Sequence, residues 1–138
     1  PGWEVAPEES HTIGLRETGG DGWAQVSVLD EETSTRWGIA YREGMPAAWV
    51  LDALLGALRE DGDFTAPAPV ETREGYEALA SEGVYHVMGE RLLVAVVGLP
   101  DRTIVVLGHG GETPDDPDAE WSRLRPFYER LVWSITQP

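Results

Sequence analysis

The chain has 138 residues and a formal net charge of −15, from 25 acidic and 10 basic side chains, with a hydrophobic fraction of 41% and six Trp. A chain of that length buries roughly 68% of its unfolded surface, so it needs no disulfide or metal staple, and the composition is that of a packed domain, not a disordered one. Cys is absent, which removes disulfides, thiolate metal sites and cysteine nucleophiles; all basic residues are Arg, which removes Schiff-base lysines and the Walker-type phosphate lysine.

Pro1-Gly2-Trp3 opens a short extended piece that runs to the acidic Pro7-Glu8-Glu9. Thr12–Thr18 places Ile13 and Leu15 on one face, as a strand does, and Gly19-Gly20-Asp21-Gly22 forms a turn. The run 23–30 alternates Ala24, Val26 and Val28 against Gln25 and Ser27, and Trp37, Ile39 and Tyr41 repeat the period of two. These segments read as three antiparallel strands. The period then changes. Pro46 stands at a first helical position, and Ala47, Val50, Leu51, Leu54, Leu55 and Leu58 recur at helical spacing to Arg59, with Gly62 as a stop and Phe64 just past it. Thr65–Pro69 reads as an extended connector.

The second half is the more informative. After a turn at Arg73-Glu74-Gly75 come three β-rich runs, Tyr76–Met88, Arg91–Val97 and Arg102–Leu107, joined by tight turns at Gly89-Glu90 and Gly98–Asp101. Leu92–Val97 is almost wholly apolar, as suits a central strand covered on both faces. A closing helix over about 118–135 buries Trp121, Leu124, Tyr128, Leu131, Val132 and Ile135, is capped from Asp115, Asp116 or Asp118, and should kink or split at Pro126. The predicted class is α+β: one domain over 1–138, an antiparallel sheet flanked by a helix over about 46–59 and the closing helix, in an αβα sandwich.

Several short segments resemble the PsbP-like superfamily, which includes Ran-binding Mog-type proteins, DcrB-like envelope lipoproteins and effector chaperones of type VI secretion. They are Pro1-Gly2-Trp3, Gly75-Tyr76-Glu77-Ala78, the hairpin strands over 83–107, and Leu131-Val132-Trp133-Ser134-Ile135. The strand that precedes Pro-Gly-Trp in the family is missing or cut off here. The resemblance implies a non-enzymatic binding or assembly role, carries no catalytic residues over, and implies no cofactor.

Candidate chemistry is sparse. Gly108-His109-Gly110-Gly111 is similar to an esterase oxyanion loop, but no Gly-x-Ser-x-Gly elbow accompanies it, and a glycine-rich strand exit explains it. His11, His86 and His109 lack zinc-ligand spacing. Glu112, Asp115, Asp116, Asp118 and Glu120 concentrate carboxylates without the EF-hand pattern, and a helix N-terminus accounts for them. An ion or ligand loop would combine His109 with Asp115, Asp116 and Asp118. The Trp residues say more, because each indole N–H wants a partner and six are hard to bury. Trp23, Trp37, Trp49 and Trp133 are the candidate anchors for a partner, above all where an Arg stands nearby.

The acidity opposes nucleic-acid and anionic-membrane binding; solubility alone accounts for it, and a protein, a basic one, is the macromolecular partner it would favour. No stretch approaches the roughly 20 apolar residues of a membrane span. The absence of Lys and Asn fits a GC-rich bacterial genome. The expectation is a non-catalytic protein-binding or assembly module of the cell envelope, of lipoprotein type, its targeting signal lying upstream of Pro1. The rivals are a cytosolic chaperone or adaptor for secreted effectors and, third, a small hydrolase or metal-binding protein built on His109 and the acidic loop.

Overall fold

A computed structural model describes residues 3–9, 12–18, 20, 22–40, 42, 44–86, 89–110 and 117–135. Among these residues, eight strands and three helices follow one another as β1 (Trp3–Glu9), β2 (Thr12–Glu17), β3 (Trp23–Val28), α1 (Glu31–Arg36), α2 (Ala47–Leu58), β4 (Gly62–Phe64), β5 (Ala68–Pro69), β6 (Glu77–Tyr85), β7 (Glu90–Gly98), β8 (Thr103–His109) and α3 (Pro117–Trp133). The strands form one antiparallel sheet in the order β1-β2-β3-β8-β7-β6-β4, with β5 also paired to β6. The α+β class and the sandwich arrangement are as expected.

The alternation along β7 and β8 builds the layers, because successive residues of a strand point to opposite faces. Leu93, Ala95, Val97, Ile104 and Val106 face α3, where they bury Trp121, Leu124, Tyr128 and Val132. Val94, Val96 and Val105 face the other way and bury Val50, Leu51, Leu54 and Leu55 of α2. A strand that is apolar at every position is therefore covered twice, as the run over 92–97 predicts.

Four expectations are corrected in detail. The alternation of Trp37 and Ile39 does not make a strand. Asp30 instead caps α1, its side chain accepting the Thr33 N–H at 2.8 Å, with Glu31 and Glu32 in the first turn where the helix dipole favours them. Trp37 and Ile39 follow in a turn and loop and pack on the α2 side of the core, so their spacing reflects two side chains dipping into one core. Tyr41 lies outside the described residues. Gly62 does not stop α2, which ends at Leu58 on Arg59; it opens β4. Finally, α3 is continuous through Pro126, whose ring sits on the exposed side of the helix. Of the predicted stripe, Leu131 and Ile135 are only partly buried, and Ile135 lies beyond the helix end.

No helix among the described residues is long and apolar enough to cross a membrane.

Candidate functional site

On the α3 face, the sheet is not fully covered. The helix packs over β7 and β8, and toward β6 its C-terminal half leaves an open groove of about 680 Å³. Residue size makes the hollow. Ala66, Ala68 and Ala80 offer only methyl groups along the floor, with Val70, Leu93 and Val132 beside them, and Trp133 forms a wall. The groove falls in the range of roughly 300–1,000 Å³ typical of ligand sites, and its lining is apolar with a few polar groups at the rim.

Local hydrogen bonds hold the floor in place. Ser81 Oγ donates to the Thr65 carbonyl at 2.6 Å, and the Glu82 N–H donates to Thr65 Oγ1 at 3.2 Å. They tie the β4–β5 connection to β6, where Ala68 pairs with Ala80. At the rim, Arg125 Nε stands 2.9 Å from Glu129 Oε1 and 3.1 Å from Glu82 Oε2, bridging helix and sheet. Arg130 and Glu71 also line the groove, and neither side chain is paired among the described residues.

Trp133 is the predicted anchor that the structure places at this groove. The residue is 42% exposed, and the Arg73 guanidinium lies 5.5 Å from the ring centroid, a cation–π arrangement. The Arg73 N–H donates to the Trp133 carbonyl at 2.9 Å, so the loop before β6 and the end of α3 hold one another. The other three anchors lie elsewhere. Trp49 is exposed on α2, on the opposite side of the sheet, while Trp37 packs on the α2-side core and Trp23 lies against His109, centroids 4.3 Å apart and planes tilted by 46°. Val5 and Ile13 are further exposed apolar residues, on the outer strands β1 and β2.

The residues of the expected ion or ligand loop are not brought together. His109 lies with Glu90 on the α2 side of the sheet, Nδ1 to Oε2 3.3 Å, and its Nε2 is buried without a partner among the described residues. Asp118, on α3, binds Arg91 at 2.5 Å on the other face. Asp115 and Asp116 lie outside the described residues, as does His11. Among the described residues, no group of three or more His, Cys, Asp or Glu is placed to hold a metal ion. His86 is exposed and bonds Asp63 at 2.9 Å.

Sequence reasoning missed the groove. Its floor is assembled from the Ala-Pro-Ala-Pro connector and from Ala80, small residues far apart in the chain. The one available signal was the alternation of Ala with Pro at 66–69, which keeps a segment extended but gives it nothing to fill the space beside it.

No family model and no curated protein matches the sequence. The fold is similar to that of a protein of unknown function from Pseudomonas aeruginosa, for which a regulatory role has been suggested: TM-score 0.58 and 10% sequence identity over 100% of this chain and 85% of that one. At that identity the likeness concerns the fold alone.

Proposed function

We propose that this protein is a non-enzymatic binding module that holds an apolar segment of a protein partner in the groove between α3 and the β5–β6 edge. The observation that carries the reading is the exposed Trp133, fixed by Arg73 at the wall of a methyl-lined hollow. Rigid, partly exposed aromatic residues beside Arg are typical centres of binding energy at protein interfaces. The floor of Ala66, Ala68 and Ala80 would receive bulky apolar side chains, and the polar rim would orient them.

This use of the fold agrees with the PsbP-like resemblance, whose members bind or assemble rather than catalyse, and on that resemblance we place the module in the cell envelope. A chaperone or adaptor for secreted effectors is the second reading, favoured by the openness of the groove to solvent, which suits a client segment better than a small metabolite. Cell fractionation separates the two compartments.

A Leu-rich synthetic peptide carrying a fluorescent label, with binding read from the anisotropy of the label, tests the site. Binding should be lost in Ala80→Trp, which fills the hollow, and kept in Trp49→Ala, on the far side of the sheet. Undiminished binding in a folded Ala80→Trp protein overturns the assignment of the groove. Weakened binding in Trp133→Ala checks the same site without filling it.

A further inference from the structure

We infer that the segment held in the groove is apolar in its middle and carries Lys or Arg at its flanks. The inference rests on the proposed use of the groove and adds the chemistry of its occupant.

The rim decides it. Glu71, Glu82 and Glu129 stand against Arg125 and Arg130 of the lining and Arg73 beside Trp133, so the rim carries no strong charge of its own. Arg125 is the better satisfied cation, already between two carboxylates, so an arriving anion finds little there. Among the described residues, Glu71 and Arg130 are the lining side chains left to pair with a partner, one of each sign, and locally they balance. The field of the whole chain breaks the tie. At −15 it repels an acidic segment and draws in a basic one, over a screening distance of roughly 8 Å at physiological salt. Rim charges of this kind act on encounter rate and on the choice between partners, and the apolar floor supplies the contact area. A segment with an apolar centre matches the floor, and a cationic end beyond it meets Glu71 and, by competing with Arg125, Glu129.

Three peptides with one Leu-rich centre and flanks of Lys, Ser or Glu discriminate the outcomes. In low salt the Lys-flanked peptide should bind about tenfold more tightly than the Ser-flanked one, and the gain should shrink to within about twofold in ~0.5 M salt. The Glu71→Gln/Glu129→Gln protein should lose most of the gain while binding the Ser-flanked peptide as before. Equal binding of all three, or preference for the Glu-flanked peptide, overturns the basic occupant and leaves the groove assignment standing. Lys-flanked binding that survives in a folded Ala80→Trp protein, or in Trp133→Ala, overturns it too, since attraction to the acidic surface at large would then explain the gain. Failure of every peptide to bind defeats the groove reading itself.

Discussion

Tyr128 lies directly across Gly108: a Cβ on that glycine would come within 2.5 Å of the aromatic ring. The contact lets α3 approach the sheet, and it sets the Tyr128 hydroxyl between strands. Its oxygen accepts the Trp23 N–H at 3.1 Å and stands beside the carbonyls of Trp23 and His109, joining β3 to β8. Burial, the largest influence, pushes the phenol well above its usual range, so it stays protonated and able to donate. The glycine of the Gly-His-Gly segment is thus a packing requirement.

Gly108→Ala should therefore destabilise the protein by about 1–3 kcal/mol, since the ring has no room to retreat from a fully buried position. Tyr128→Phe should lose about 1–2 kcal/mol by stranding the Trp23 N–H. Urea denaturation of both variants checks this; a Gly108→Ala protein as stable as the parent shows that the helix can lift away from β8.

Trp121 and Leu131 should behave differently although both lie on the helix. Trp121 is buried under α3 and should cost ~3 kcal/mol or more on replacement by Ala. Leu131 is only partly buried, and its replacement should cost about 1 kcal/mol. Equal losses in thermal or chemical melts would place Leu131 deeper than the structure has it.

Acid should expose the role of Glu17. Both its oxygens are bonded by the Arg123 guanidinium, one of them at 2.9 Å. That hydrogen bond is the largest influence on the carboxyl and, with the Gly22 N–H, holds it below its usual value near 4.5 against the opposing effect of burial. A carboxyl depressed in the folded state adds stability above its unfolded value, and that stability drains away as pH falls through the folded one. Glu17→Gln should cost ~1 kcal/mol at neutral pH, modest because Arg123 is half exposed, and the loss relative to the parent should vanish in acid. A difference between the two proteins that stays constant from neutral pH down into the acid range contradicts the ion pair.

His109→Ala should destabilise through its neighbour. The Glu90 side chain is buried, and His109 Nδ1 stands 3.3 Å from its Oε2. Removing the ring leaves a buried polar side chain without its neighbour, a loss of about 1–3 kcal/mol, and the double variant with Glu90→Leu should recover part of it. A double-mutant cycle with no coupling would show that the two side chains act independently.

What was legible in the sequence followed from periodicity. The apolar run over 92–97 announced a doubly covered strand, and Trp121, Leu124, Tyr128 and Val132 announced the buried face of α3. The misreading at Trp37 and Ile39 arose because two residues of a loop can share a strand's period by chance; the Asp30-Glu31-Glu32-Thr33 cap was the stronger local signal. The Glu90–His109 pair depends on register, since His109 sits opposite Leu92, and no reading of either strand alone discloses it. The groove is less legible still, because a hollow is defined by what small side chains leave unfilled. Trp133 follows Val132 by one residue, which turns it away from the buried face of the helix, and that was the single hint of an aromatic at the rim.

The double coverage of β7 has a consequence for how the protein opens. Its odd residues belong to one core and its even residues to the other, so neither layer can separate without dismantling the strand they share. The amides of β7 should then be the slowest in the molecule to exchange with deuterium, at a rate set by global unfolding, while β5, two residues long at the margin of the groove, exchanges through small local openings.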